Sequence, residues 1–152
     1  MEEPDQLVVF ALDDRRYALR LSAVDRVVRM VDITPLPKTP DVVLGVINVQ
    51  GKIIPVIDMR RRFHLPERKA ALTDRLVIAH TARRPVALAA DAVSGVLEYP
   101  GQDIVAAEGV LPDVEYVEGI AKLRDGLILI HELDRFLSLE EEQSLDHTLA
   151  TP

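Results

Sequence analysis

The sequence predicts a mainly β protein: two small barrels of about five short strands each, fused in tandem. Three observations carry this expectation. Apolar runs such as LVVFAL and VVLGVINV have strand length, and Tyr17, Leu19 and Leu21 alternate with Ala18 and Arg20 at the period of a half-buried strand. Two blocks, LGVINVQGKIIPVIDMRRRF (44–63) and EGIAKLRDGLILIHELDRFL (118–137), write one pattern twice. A second ungapped pair lies upstream of them, LVVFALDDRRYALRLSAVDRVV (7–28) and LVIAHTARRPVALAADAVSGVL (76–97). The recurring positions are mostly apolar, so what repeats is a core, and the chain reads as a duplication.

Each half then runs strand, polar turn, strand, short helical turn, strand and hairpin. DDRR and TARRP are turn material, and QGK and RDG close the hairpins. Asp58 is placed to N-cap MRRRF, and Glu132 opens LDRFL more weakly. Pro55 interrupts the strand-like IIPVID; having no N–H to donate, it is expected on an edge or at a bulge. TPLPKTPD (34–41) is a proline-rich loop, and PERKAALTD (66–74) links the halves. The segment PGQDIVAAEGVLPDVEY (100–116) is a partly exposed excursion of the second half. Ser138 and Glu141 form a capping box for a helix from Leu139 towards Leu149, with Leu145 and Leu149 on one face and a frayed end.

Composition narrows the function. The 152 residues are 48% hydrophobic but only 4% aromatic, so the core is aliphatic. A formal charge of −7 repels phosphate backbones and anionic lipid, which argues against nucleic acid and membrane partners. Cysteine is absent, excluding disulfides, thiolate metal sites and a cysteine nucleophile. The acidic start MEEPDQ is the reverse of a signal peptide, and no apolar run approaches the roughly 20 residues of a membrane helix. The expected compartment is the cytoplasm.

No chemistry emerges. His64, His80, His131 and His147 lack metal-site spacing; His80 and His131 read as residues within or at the ends of strands. There is no phosphate loop and no nucleophile elbow. Asp13 and Asp14 sit in a turn, and Glu140, Glu141 and Glu142 suit a helix N-terminus. No catalytic residue, metal ligand or cofactor site is assigned. The run Arg60, Arg61 and Arg62 reads as a solvated helix face, with a docking patch as the alternative. The chain looks like one that works through surfaces.

The segments VVFALDDRRYALRLSAVDRVVRM, ITPLPKTPDVVLGVINVQGKIIPVIDMRRRF, RLVIAHTARRPVALAADAVSGVLEY and YVEGIAKLRDGLILIHELDRFL resemble the CheW family of chemotaxis adaptors over residues 6–139. That resemblance implies one domain of two SH3-like, five-stranded subdomains about a shared core, roughly 6–65 and 75–137. A C-terminal helix and tail (138–152) follow. It implies a non-enzymatic adaptor between the cytoplasmic tips of chemoreceptors and the regulatory domain of a CheA-type histidine kinase. A regulatory module for another kinase system is the alternative. Carried over by position, Val24 and Val27 match apolar positions of the family's groove, and Gly45 and Asn48 match the glycine and asparagine of its hairpin block. Two positions depart: Arg26 stands where the family commonly has Glu, and Gln50 where it commonly has Arg. On this reading all six residues bear on partner binding, the two departures imply a rebuilt surface, and Gly45→Asp is expected to weaken binding in a folded protein.

Overall fold

Alternating apolar segments pair into eleven strands among the described residues of a computed structural model, which are 4–69, 71–106 and 116–150. In the first half, β1 (Asp5–Leu12) and β2 (Arg15–Arg20) precede a 3-10 turn at Leu21–Ala23, then β3 (Val24–Arg29). A hairpin of β4 (Val43–Val49) and β5 (Lys52–Ile57) follows, and then α1 (Met59–Arg62). The second half repeats this as β6 (Arg75–His80), β7 (Pro85–Ala90) and β8 (Ala92–Tyr99), a short β9 (Val105–Ala106), and the hairpin β10 (Val117–Leu123) and β11 (Gly126–His131). The helix α2 (Leu139–Ala150) is the last of the described elements. The mainly β expectation holds.

The sheets do not follow the two sequence halves. One has the order β8-β1-β2-β11-β10-β9 and the other β3-β6-β7-β5-β4. Each therefore takes its first two homologous strands from one half and the rest from the other. Subdomain boundaries at 6–65 and 75–137 are corrected accordingly: the chain crosses between sheets at the 3-10 turn after β2, and again between β7 and β8. β3 therefore pairs with β6, and β8 with β1, rather than with the strands that precede them.

Exchange leaves the duplication visible in the register. Leu7 faces Leu97 across β1 and β8, as Leu76 faces Val28 across β6 and β3. Both pairs of strands carry a bulge at the same place, at Ser94 and at Asp25. Ile130 lies beside Ala18 in one parallel ladder, as Val56 lies beside Ala87 in the other. The interiors agree as well. Leu7, Val9, Ala18, Ala121, Ile128 and Ile130 fill one sheet, and Leu76, Ile78, Ala87, Ile47, Ile54 and Val56 fill the other, position for position. A larger core between the sheets joins Phe10, Leu19, Ile57, Leu88 and Phe136, so neither half buries its apolar surface alone.

Two local expectations change. Pro55 is not at a bulge, since the hairpin's register shift falls between Val43 and Gly45; β5 is an inner strand of the sheet, but at Pro55 itself it pairs with β4 alone. Pro55 and Pro85 occupy the places of Leu129 and Arg16, so the β5–β7 ladder begins only at Val56. The barrels are also not fully closed by strand pairing: the ladders end at β3 and β4, and at β8 and β9. Crossing segments cover the hairpin strands instead. Thr34 exchanges two 2.9 Å hydrogen bonds with Val46, and Val105 pairs with Ile120.

The arginine run is not a solvated face. Arg60 is buried and bonds Asp13 at 2.9 Å and Asp91 at 2.7 Å, tying the β1–β2 turn and the β7–β8 junction to α1. Arg68 extends this network to Asp74. Arg62 reaches Glu141 on α2 at 2.6 Å and Tyr116 at 2.9 Å; only Arg61 is well exposed. Asp58 caps α1 by accepting from the Arg61 N–H, whereas Glu132 makes no side-chain cap. The capping box forms as expected: Ser138 N–H donates to Glu141 at 2.7 Å, and Glu141 N–H to the Ser138 hydroxyl at 3.1 Å. Leu145 is buried in the shared core and Leu149 packs against it. Of the excursion at 100–116, the part at 107–115 lies outside the described residues, as does the tail at 151–152.

His131, at the end of β11, is buried among Tyr17, Phe63 and Phe136, with its ring 4.5 Å from that of Phe63. Burial pushes its pKa down to about 4, which a contact with the Tyr116 backbone offsets only in part. Its neutral form is thus selected on folding. This contribution is complete above the unfolded value near 6.5 and is lost as pH falls from there to about 4, on the order of 3 kcal/mol. In urea titrations at pH 7 and pH 4.5, the wild type is expected to lose more stability than His131→Leu. Equal losses would refute the assignment.

Candidate functional site: the mouth of the β3-to-β4 sheet

Both sheets curl until their end strands face each other across a concavity. In the β3-to-β4 sheet this mouth measures about 260 Å³. Asp25 and Arg26 of β3 line one side, and Val49, Gln50 and Lys52 of the hairpin line the other. Ile54 and Ile78 form the apolar floor.

The local sequence explains how these side chains reach the mouth. The bulge at Asp25 breaks the period of β3, so Asp25, Arg26 and Val27 are all exposed, Val27 by 40%. Asp25 accepts or shares a 2.9 Å contact with His80 Nδ1. The hairpin turn places Gln50 and Gly51 at positive φ, 52° and 85°, the form that suits a two-residue connection. Asn48 holds that turn, its Oδ1 accepting from the Gly51 N–H at 2.9 Å. Ile53 stands beside it, 54% exposed.

The six residues expected at the partner surface therefore separate. Arg26 and Gln50 line one concavity, and Val27 flanks them on β3. Val24 is half-buried and packs against the shared core. Asn48 is exposed but braces the turn. Gly45 is not surface: it is buried, with φ +153°, and a Cβ there would lie 2.3 Å from the Thr34 carbonyl oxygen. The expectation that Gly45→Asp leaves the fold intact is withdrawn, because the close crossing of the Thr34 segment needs glycine. Sequence reasoning missed Asp25, Lys52, Ile53 and His80. Lys52 was within reach, since a two-residue turn at Gln50 and Gly51 sets it opposite Val49.

The other sheet has a matching mouth of about 220 Å³, lined by Val9, Arg16, Gly95, Val96, Leu123 and Ile128. Its rim is more apolar: Val96 and Leu127 are 56% and 53% exposed, at the places of Val27 and Ile53. Arg16 is engaged by Asp125 at 3.1 Å. Among the described residues no group of acidic, histidine or cysteine side chains could hold a metal ion, and no helix is long and apolar enough to cross a membrane.

Each of the two interlocked sheets presents an open mouth at its end. The chain belongs to the CheW-like domain family, whose profile matches residues 6–141. It is 28% identical over 141 residues to a chemotaxis protein CheW of Rhizobium meliloti, covering 91% of each chain. To a chemotaxis protein CheW of Bacillus subtilis it is 29% identical over 142 residues, covering 92% of this chain and 91% of that one. Among solved structures, the scaffolding protein TtCheW from Thermoanaerobacter tengcongensis superposes with a TM-score of 0.83 at 36% identity, covering 91% of this chain and 95% of the other.

Proposed function

We propose that the chain is a non-enzymatic, cytoplasmic adaptor of chemotaxis-like signalling, linking chemoreceptor cytoplasmic tips to the regulatory domain of a CheA-type histidine kinase. The observation that carries this reading is the agreement with chemotaxis CheW proteins over nearly the full length, in sequence and in fold. The relatives' names favour this setting over service to another kinase system. Arg26, Val27 and Gln50 belong to the partner surface, while Val24, Gly45 and Asn48 shape it from behind. Two mouths of unlike chemistry suit two unlike partners, since complementarity at the rim governs choice of partner. Binding of the purified chain to a receptor cytoplasmic fragment and, separately, to the kinase regulatory domain tests the proposal. Saturable binding to both is expected. Binding to neither refutes it.

A further inference from the structure

The two mouths act as an internal control on each other. Asp25, Arg26 and Lys52 correspond to Ser94, Gly95 and Gly126, on strands of the same register. The fold is thus satisfied at those places without charge. Arg26 and Lys52 form no ion pair among the described residues, and Asp25 is engaged by His80. Two cations and the one carboxylate of Asp25 line this mouth, so its formal charge is positive, on a chain whose formal charge is −7. The floor between the two cations is apolar, and Val27 and Ile53 extend that apolar surface outward.

From this we infer that the mouth between Arg26 and Lys52 takes a receptor segment presenting a carboxylate flanked by apolar side chains. This inference rests on the adaptor reading and adds the chemistry of the partner. A carboxylate meeting Arg26 gains a planar, two-pronged partner, which a lysine there would not supply. A single carboxylate among apolar groups also fits the chain's overall acidity, which repels an extended polyanion. Gln50, across the mouth from Arg26, adds a neutral amide that can donate to the same group without competing for it as a second cation.

The test compares the intact protein with Arg26→Glu and Lys52→Glu in binding to the receptor cytoplasmic fragment, with the kinase regulatory domain as control. Arg26→Glu is expected to weaken receptor binding at least tenfold, and Lys52→Glu several-fold, with melting temperatures unchanged. Wild-type receptor binding should weaken from 50 to 300 mM salt, on the order of severalfold for screened rim charges. Replacing the receptor's matching acidic residue by Lys should restore binding to Arg26→Glu. Receptor binding unchanged in Arg26→Glu overturns the inference and leaves the adaptor reading standing, as does a loss confined to the kinase domain. A wild-type protein that binds neither fragment overturns the adaptor reading itself, and this inference with it.

Discussion

Gly45→Asp is expected to unfold the protein rather than to disarm a surface. At φ +153° the backbone of Gly45 is in a region that side chains rarely enter. The Thr34 segment crosses directly above it, so an added Cβ would stand 2.3 Å from the Thr34 oxygen and 2.8 Å from its carbonyl carbon. Both obstacles are backbone, and both belong to a crossing fixed by two hydrogen bonds between Thr34 and Val46. Relief requires breaking that bridge or displacing β4 from β5. The cost is roughly 4 kcal/mol or more, a large part of the 5–15 kcal/mol that holds a domain together. Gly95→Ala is the control. Gly95 also has positive φ, +122°, but nothing lies within 4 Å of its Cβ position. It should lose only about 1–2 kcal/mol, the cost of the backbone conformation alone. Urea unfolding followed by circular dichroism separates the two; a Gly45→Asp protein with the wild-type midpoint would restore the surface reading.

Arg60→Met carries the second largest expected loss. The Arg60 side chain is only 9% exposed and joins Asp13 and Asp91, which precede and follow strands of different sheets. Burial alone would raise the Asp91 carboxyl; the Asp13 N–H and the guanidiniums of Arg60 and Arg68 outweigh it and hold the pKa below the usual range. Removing Arg60 strands part of this charge, at a cost of roughly 3 kcal/mol, since a broken buried pair costs more than the pair contributes. Arg61→Ala, on the exposed side of α1, should change stability by less than about 0.5 kcal/mol. The pH dependence has a definite sign. Because folding depresses the Asp91 pKa, its contribution is present above the unfolded value near 3.8 and is lost as pH falls below it. Arg60→Met should make that acid loss shallower. Equal stabilities of Arg60→Met and Arg61→Ala at pH 7 would contradict the assignment.

The repeated blocks made the strands, the hairpins and the duplication legible, because burial writes itself as apolar alternation. The exchange of strands was not legible. Alternation records which face of Leu7 or Leu76 is buried, but not whether the neighbouring strand comes from the same half. The arginine run misled for a related reason: three adjacent cations on a short helix look solvated until Asp13, Asp91 and Glu141 arrive from distant segments. In the site, Arg26 and Gln50 came from family resemblance, and their convergence on one mouth depends on the curl of the whole sheet. Gly45 was recognised as special, but its reason lies in Thr34, across a loop whose path the sequence does not specify.

On the proposed reading this chain works by holding two partners at once. Sedimentation of receptor-bearing membranes with kinase, in the presence and absence of the chain, tests it most directly. Kinase should enter the pellet in proportion to added chain, up to saturation. Kinase recovery independent of the chain, or a chain that carries one partner only by displacing the other, would contradict the account.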